Sequence, residues 1–506
     1  MPHSFLLGHL WTTAKIAIKH KFPPDANSQW MFHFIKMEYP EIASAGLVYM
    51  DPWPISYPTI AVYHPDMMNQ FVQDNVLPKY YAMGQREFKH FTGGKDILNL
   101  EGQEWKMARS MFNPGFSVKN LLSLIPDFVE ETLVFRQRLK QAAASGEVIK
   151  LEDYTIDATV DVVSRAVLGV RLQHQTKPHR LVTAMQSAVQ LIYFNLDIAK
   201  QLSPTRHIKI WMYNRMMRQE LMPLIENTVR NYEKIEGPKT ILALALKSYV
   251  SEVQDASERS IGMIPRDFIE RIIQHIKIFM FAGHDTTATT LASCFYFLSQ
   301  HPDKLAKLRA EHDEVLGPDP AAAAALISAD PALLNRLPYT LGAIKETLRL
   351  ASPVGGTIRQ SPPGHFLAHP ATGARYPTHG FMIHSSAVTL ARAPEYWHEA
   401  DRFEPGRFLV RDNEADPWYP PRGAWRMFEA GPRNCIGQEL STLEMRLVLA
   451  LTAREFDVED AYPPAAPEWL GGRAYQCFSA KYSVTAHIKD GLPVRIRERK
   501  AGKSAE

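Results

Sequence analysis

One cysteine lies in a short segment whose residue types and spacing suit a metal ligand. Residues 428–437 read Phe-Glu-Ala-Gly-Pro-Arg-Asn-Cys-Ile-Gly, so Cys435 lies between two glycines and two residues after Arg433. Cysteine binds metals as the thiolate, and glycines allow backbone N–H groups to approach the sulfur. The permanent cation of Arg433 suits an anionic cofactor group. Most lone cysteines are plain buried thiols, but this spacing favours a thiolate that donates electron density to a haem iron.

The segment resembles the haem-binding signature of the cytochrome P-450 superfamily. The resemblance implies that Cys435 ligates the iron of haem b, and that Phe428, Gly431, Arg433 and Gly437 contact the cofactor. It also implies a fold that is mainly α with small β-sheets, built as a single large domain around a buried haem. The region 425–440 is most similar to filamentous-fungal enzymes of specialised metabolism.

A second motif, Ala282-Gly283-His284-Asp285-Thr286, lies inside a long apolar stretch. Small residues allow a flat macrocycle to approach the helix, and a threonine hydroxyl can bond a carbonyl one turn earlier. An acid beside an alcohol can deliver protons, although a polar kink without chemistry has the same pattern. The resemblance implies that Asp285 and Thr286 are catalytic in dioxygen activation and that Ala282 and Gly283 contact haem. His284 holds the variable place of the motif, and a packed or solvated histidine is its ordinary interpretation.

Cationic residues from distant segments suit the anionic edge of such a cofactor. Trp105 and Arg109 are four residues apart and therefore face one side of a helix. The resemblance implies that both bind a haem propionate, together with Arg359 and Arg433, because arginine forks match carboxylates. Taken singly, each arginine would be interpreted as solvent-exposed.

A Glu-x-x-Arg pair, Glu346 and Arg349, precedes an arginine in the segment 403–408. Alone, such a pair indicates an exposed ion pair. The resemblance implies a buried structural triad of Glu346, Arg349 and Arg407. It must be complete, because an orphaned buried charge costs about 3–5 kcal/mol.

Composition excludes several classes of protein. The chain has 506 residues, three cysteines and a net charge of +3, which argues against a disulfide framework and a nucleic-acid partner. Cys294 and Cys477 are interpreted as plain buried thiols. No run of 18 apolar residues occurs, so no bilayer crossing is expected.

The N-terminal stretch 6–19 is amphipathic, which fits either an ordinary packed helix or a helix on a membrane surface. Microsomal relatives carry an N-terminal anchor that this chain lacks, and a truncated form is the simplest explanation, with a naturally soluble form as the alternative. The resemblance places the full-length protein at the cytoplasmic face of the endoplasmic reticulum membrane, and this chain as soluble or peripheral.

Hydrophobic patterns outline the elements that position these groups. Residues 46–50 and 59–63 read as strands, followed by a helix after Pro65. A helix that begins near Pro265 and stops near Gln300 is apolar on almost every face, which predicts a central buried helix. Other expected elements are a helix from Pro302 to Gly317, a helix from Pro338 to before Pro353, a hairpin over 482–496 around Asp490-Gly491, and surface loops at 236–260 and 321–325.

No linker divides the chain, so residues 1–497 are expected to form the haem domain and 498–506 a flexible tail. By position, 97–100, 354–357 and 477–479 are candidate pocket-lining segments. The pair Gly355-Gly356 could leave room for a bulky ring, or serve a turn alone. Segments 191–196 and 208–217 could form an entry lid that touches a membrane.

The sequence therefore predicts a haem-thiolate monooxygenase that inserts one atom of O2 into an apolar small molecule, a fungal secondary metabolite such as a polyketide, terpenoid or alkaloid. One domain uses the whole length, so electrons must come from a separate partner; the resemblance implies an NADPH–cytochrome reductase at the basic, cysteine side. Alternatives are a same-fold coupling enzyme, isomerase or dehydratase, a non-enzymatic haem sensor or carrier, and a structural helical protein without haem.

Overall fold

The computed structural model describes residues 1–80, 84–192, 202–231, 239–256, 265–410, 413–478 and 484–499. Helices form most of the regular structure in these ranges, as the sequence predicts. The helices span Leu10–Lys19, Trp30–Glu38, Pro40–Ala45, Pro65–Asn69, Gly84–Thr92, Gly102–Phe112, Val118–Ser123, Ile125–Ser145, Leu151–Leu168, Arg180–Val189, Pro204–Asn231, Ile241–Ala256, Arg266–Gln300, Pro302–Leu316, Ala323–Ala329, Pro338–Leu350, Ala387–Ala391 and Gln438–Thr452.

The strands are short and form small sheets. In the largest described sheet the order is Leu47–Met50, Thr59–Val62, Met382–Ser385 and Ile358–Gln360, and its middle pair is parallel. A second sheet places Pro493–Glu498 between Ile149–Lys150 and Phe456–Asp460. Two antiparallel pairs complete the set, Gln476–Cys477 with His487–Ile488 and Phe366–Ala368 with Arg375–Pro377.

The helix Arg266–Gln300, called the central helix below, confirms the predicted buried element. Pro265 is its N-cap residue, and Pro302 lies just beyond its end. Its surface is apolar on nearly all sides, and it packs along the helix Leu151–Leu168. Thr155 and Thr159 of that neighbour each donate a hydrogen bond to a carbonyl of the central helix, at 3.0 and 3.1 Å. These bonds fix the two helices against each other beside the oxygen-activation motif.

The predicted buried triad is confirmed. Glu346 Oε2 accepts from Arg349 Nε at 2.7 Å, and Glu346 Oε1 accepts from Arg407 Nε at 2.9 Å, with all three side chains at most 1% exposed. Remaining guanidinium donors reach backbone carbonyls of the segment 391–402. The triad therefore ties the Pro338–Leu350 helix to the loops that precede the Cys435 segment.

Two segments expected to be surface loops are helical. Residues 241–256 form a helix that buries Ile241, Leu242 and Leu246, and the rest of 236–260 lies partly outside the described residues. The alanine tract forms a 3-10 turn at Pro320–Ala322 and then the helix Ala323–Ala329. Alanine is the strongest helix former, and the side chain of Asp319 caps the turn. The prediction of a surface loop at the alanine tract was therefore wrong.

The predicted C-terminal hairpin is also wrong. A 3-10 turn at Lys489–Gly491 does reverse the chain at Asp490, but the strands on its two sides join different sheets. Leu492 is fully buried and its carbonyl accepts from Leu151 N–H, which directs the chain away from a simple hairpin. The last strand continues to Glu498, so the expected tail begins later than predicted; residues 500–506 lie outside the described part.

The amphipathic stretch forms the helix Leu10–Lys19, as either interpretation requires, and contact with a membrane stays a prediction. Ile16 packs into the protein, whereas Phe5, Trp11 and Ile18 are 96%, 63% and 80% exposed. None of the helices in the described ranges is both long and apolar enough to cross a bilayer.

Candidate active site

The segment around Cys435 folds into a closed loop that fixes the direction of the thiol. Cys435 N–H donates to the Phe428 carbonyl at 2.9 Å, and Asn434 N–H donates to the Gly431 carbonyl at 3.1 Å. Gly431 has φ +75°, and a Cβ there would lie 2.3 Å from the Val72 carbonyl oxygen. Only glycine fits both the backbone angle and this close approach.

The sulfur of Cys435 lies at the start of the helix Gln438–Thr452. Although Cys435 is an exposed residue, the protein atoms around its sulfur displace water and raise the pKa of the thiol overall; backbone N–H groups of Gly437 and Gln438 and the charge of Arg109 act to lower that pKa. The positive end of the helix dipole acts in the same direction. A Cβ at Gly437 would be 3.9 Å from the sulfur, an ordinary contact, so the N–H approach does not depend on glycine at that position.

Thr286 makes the bond that its position predicts. Its hydroxyl donates to the Ala282 carbonyl at 2.8 Å, one turn earlier in the central helix. Ala282 is exposed and Thr286 is half-buried, whereas most of the helix around them is buried. These two residues therefore border open space, which is where a flat cofactor and dioxygen could approach.

Two neighbours in the same motif serve packing. A Cβ at Gly283 would lie 3.0 Å from Val163, so this glycine is explained by the close contact with the helix Leu151–Leu168. His284 is buried, and its Nδ1 lies 2.7 Å from the Met280 carbonyl oxygen. It is the packed histidine of the sequence interpretation.

Asp285 belongs to a buried polar chain that sequence reasoning missed. Its Oδ2 accepts a short hydrogen bond from the Thr485 hydroxyl and lies 3.4 Å from His487 Nε2. His487 Nδ1 is 2.9 Å from Glu152 Oε1. Burial tends to raise the pKa of Asp285, but attraction to His487 outweighs it and lowers that pKa overall. No local pattern could reveal these partners, because 200 residues separate Asp285 from Thr485.

Arg433 already has a carboxylate partner. Its guanidinium pairs with Glu101 at 2.5 Å, donates to the Leu100 carbonyl at 2.7 Å and stacks over the ring of Trp105 at 4.8 Å. Glu101 was not predicted, and its position just before the Gly102–Phe112 helix gave no signal beyond an ordinary acidic residue.

Two further cations lie beside this pair. Arg359 is fully buried, and only its Nη1 bonds a carbonyl, that of Leu77; Nε and Nη2 have no partner among the described residues. Lys79 donates to the Thr357 hydroxyl at 2.9 Å. Burial, together with repulsion from Arg359 and Arg433, lowers the pKa of Lys79 to about 7. A cluster of three cations near two carboxylates, Glu101 and Glu429, suits an additional anion.

Arg109 lies on the other side of the thiol. Its Nη1 and Nη2 donate to the carbonyl and the side-chain oxygen of Asn434, at 2.8 and 2.9 Å. The structure thus shows Arg109 holding the cysteine loop, while its predicted propionate contact stays a prediction.

These features fit haem b. Unpartnered buried donors of Arg359 call for an anion, Cys435 offers an exposed sulfur with N–H donors behind it, and Ala282 borders open space. A dianionic cofactor with one axial ligand meets all three requirements.

The structure shows what surrounds several residues of the candidate pocket-lining segments. A Cβ at Gly355 would lie 1.3 Å from Gln29 Oε1, and one at Gly356 would lie 1.6 Å from the Ser385 carbonyl oxygen. Gly356 therefore admits a neighbouring backbone and Gly355 a neighbouring side-chain amide, so the space beside this pair is already filled and is not open to a ring. Ile97 is buried and its N–H donates to the ring of His275 on the central helix. Of the segment 477–479, Cys477 is buried in a strand and residue 479 lies outside the described residues.

The predicted lid segment 208–217 lies in the helix Pro204–Asn231. Ile208 and Trp211 are 64% and 62% exposed. Trp211 also borders an open cleft of about 540 Å³, together with Asn214 and Lys277 of the central helix. The other lid segment is described only up to residue 192.

Comparisons with known proteins agree with this site. The family model for Cytochrome P450 matches residues 49–469. The chain is 35% identical over 91% of its length to cytochrome P450 monooxygenase polC of Polytolypa hystricis, covering 81% of that protein. It is 31% identical over 95% of its length to cytochrome P450 monooxygenase acrF of Aspergillus aculeatus, covering 99% of that protein.

The crystal structure of the cytochrome P450DA heme domain superposes with a TM-score of 0.73 at 20% identity, over 99% of this chain and 96% of that one. The chain belongs to the cytochrome P450 family, whose members are haem-thiolate proteins with haem b. It is a monooxygenase of that family, and the two relatives named above are fungal, as the sequence predicts.

Proposed function

We propose that this cytochrome P450 monooxygenase inserts one oxygen atom from O2 into an apolar fungal secondary metabolite, with electrons from NADPH through a separate reductase. The arrangement that supports this most directly is the thiol of Cys435 at a helix start, combined with the adjacent pair Asp285 and Thr286 on the central helix. Fungal monooxygenases among the relatives support the substrate class.

Each group has a proposed role. Haem b supplies the electron transfer and the activation of dioxygen when it is bound. Cys435 ligates the iron through its sulfur, with N–H donors that tune the thiolate. Lys79, Arg359 and Arg433 hold the propionates. Thr286 and Asp285 hold and move protons on the distal side, while the apolar faces around them orient the substrate and exclude water.

A spectrum tests the ligand. The reduced, carbon-monoxide-treated protein is expected to show the red-shifted Soret band of a thiolate ligand. Cys435→Ala should abolish that band, whereas Cys294→Ala, a fully buried thiol in the central helix, should retain it. A wild-type protein without the band, or a Cys435→Ala variant that keeps turnover, would overturn the proposal.

Product analysis tests the reaction. A panel of polycyclic and linear apolar compounds is first screened for the change in spin state that substrate binding causes, and the binders are then incubated with NADPH, reductase and 18O2. One labelled oxygen atom in the product supports monooxygenation. Turnover without label would indicate coupling, isomerisation or dehydration instead. Absence of any turnover in the reconstituted system would favour a sensor or carrier.

The reductase is proposed to dock beside the cysteine loop. Lys106 and Lys119 are exposed on neighbouring helices, and Arg109 links the first of these helices to that loop. An acidic surface of the reductase would be attracted there, so NADPH consumption should fall as salt screens the charges. Lys106→Glu should raise the reductase concentration needed for half-maximal rate, without changing the carbon monoxide spectrum. An unchanged requirement would move the docking surface elsewhere.

We also propose that the protein lies at the cytoplasmic face of the endoplasmic reticulum membrane; exposed N-terminal side chains support contact with a membrane surface. Phe5, Trp11 and Ile18 offer apolar area, and Lys15 and Lys19 lie on the same helix. Co-sedimentation with phosphatidylcholine vesicles containing phosphatidylserine should therefore occur and should weaken in Phe5→Ser/Trp11→Ser. Equal sedimentation of this variant would show that another surface binds.

A further inference from the structure

The acid of the proton-delivery pair has a buried partner that comes from the C-terminal part of the chain. His487 lies in the strand His487–Ile488, and its ring is 1% exposed. One ring nitrogen faces Glu152, and the other lies 3.1 Å from the Thr485 hydroxyl and 3.4 Å from Asp285. Three separate elements therefore meet in one chain of polar groups, Glu152–His487–Thr485–Asp285.

With Glu152 and Asp285 ionised, the geometry gives the direction of each hydrogen bond in this chain of groups. Glu152 Oε1 already accepts from the N–H of Ile488 at 3.3 Å, so it is placed as an acceptor for His487 Nδ1–H. Thr485 donates its hydroxyl proton to Asp285 and thus accepts from His487 Nε2–H. A ring that donates from both nitrogens is an imidazolium. Despite burial, the two carboxylates raise the pKa of His487 to about 10.

We infer that His487, anchored by Glu152, is a positioning residue that keeps Asp285 ionised and directed toward Thr485. A buried carboxylate without this cation would take up a proton and lose its fixed orientation. His284, another titratable ring beside Asp285, supplies no comparable cation, because burial outweighs its attraction to Asp285 and lowers its pKa. The importance of this device for oxygen chemistry rests on the proposed function.

The inference is tested with haem-loaded wild type, His487→Gln and a matched control, His312→Gln. His312 is likewise fully buried and bonded to a threonine hydroxyl, that of Thr340 at 2.8 Å, in a different part of the fold. In protein labelled with 13C at the aspartate carboxyl, the difference spectrum of His487→Gln minus wild type should show an additional infrared C=O stretch of a protonated aspartic acid. The difference spectrum of His312→Gln minus wild type should lack it, because other aspartates with raised pKa values, such as Asp157, cancel in the subtraction.

Coupling is the second measurement. With a substrate from the spin-state panel, product per NADPH should fall by about tenfold in His487→Gln, less than the roughly 10²–10⁴-fold effect of losing a general acid–base group outright, while the carbon monoxide spectrum is unchanged. His487→Lys restores a cation and should recover part of the coupling and remove the infrared band. His312→Gln should couple as wild type does.

A second variant and two refuting results complete the test of the role of His487. Should His487→Gln fail to fold, Glu152→Gln keeps the ring and removes its anchor, and it should show the same two changes to a smaller extent. Wild-type coupling without the infrared band in these variants would overturn the inference, as would lower thermal stability with both measurements unchanged. Failure of the proposed function differs, because the wild type would then form no product while the infrared result would still report on the pair.

Discussion

Replacing Glu346 by glutamine is expected to destabilise the protein by about 3–5 kcal/mol, the cost of breaking a buried ion pair from one side. The carboxylate is fully buried and serves two guanidinium groups, those of Arg349 at 2.7 Å and Arg407 at 2.9 Å. It also accepts from a backbone N–H at 2.9 Å. Glutamine keeps the shape and one oxygen, but it leaves two buried cations without a counter-charge.

The chain provides a matched control. Glu399 and Arg402 form a pair with the same i,i+3 spacing and the same 2.7 Å separation, but they are 44% and 51% exposed. Glu399→Gln should therefore cost about 1 kcal/mol or less, because solvent screens exposed pairs. Urea unfolding of wild type and both variants, monitored by circular dichroism, gives the change in the free energy of unfolding for each substitution. A loss for Glu346→Gln as small as that of the control would refute the view that burial makes this triad indispensable.

Three other perturbations follow from the site. Gly431→Ala should lower the fraction of protein with a thiolate Soret band, because the added Cβ would lie 2.3 Å from the Val72 carbonyl oxygen. Gly423→Ala is the control: Gly423 has a similar positive φ of +78°, but a Cβ there makes only an ordinary 3.5 Å contact, so the spectrum should stay normal. Lys79→Met should speed haem transfer to apomyoglobin by about tenfold, equivalent to about 1.4 kcal/mol, because a propionate partner is lost. An unchanged transfer rate would show that Lys79 does not bind the cofactor. Folding raises the pKa of His487 from its ordinary 6.5 to about 10, so its stabilising effect is complete below pH 6.5 and is lost toward pH 10. The difference in unfolding free energy between wild type and His487→Gln should therefore shrink over that pH range. A difference that grows with pH would contradict the assignment.

The parts of the site that are local in sequence could be predicted. The Cys435 loop is stabilised by bonds within its own ten residues, and the Thr286 bond spans a single helical turn. Apolar residues on every face made the burial of the central helix certain in advance. Such features depend on short-range geometry, which residue types and spacing encode directly.

The parts that depend on distant chain segments could not be predicted. Glu101 reaches Arg433 across 332 residues, and Glu152 reaches His487 across 335. Spacing carries no information on such pairs, and each residue alone has the ordinary interpretation of a surface charge. The Gly355-Gly356 pair failed for a related reason: whether a glycine leaves space or admits a neighbouring atom depends on what packs against it, here Gln29 and Ser385.

The charges around the site differ in how they are balanced, and this difference indicates their roles. Glu346 is compensated within the protein by two arginines and a backbone N–H donor, as a structural group must be. Arg359 keeps two buried donors without partners among the described residues, an arrangement that a folded protein tolerates where another molecule completes it. Asp285 lies between these cases, because its cation is supplied through His487 while its neighbour Thr286 faces open space. A group balanced on one side and adjoining open space on the other is placed to exchange protons without losing its position.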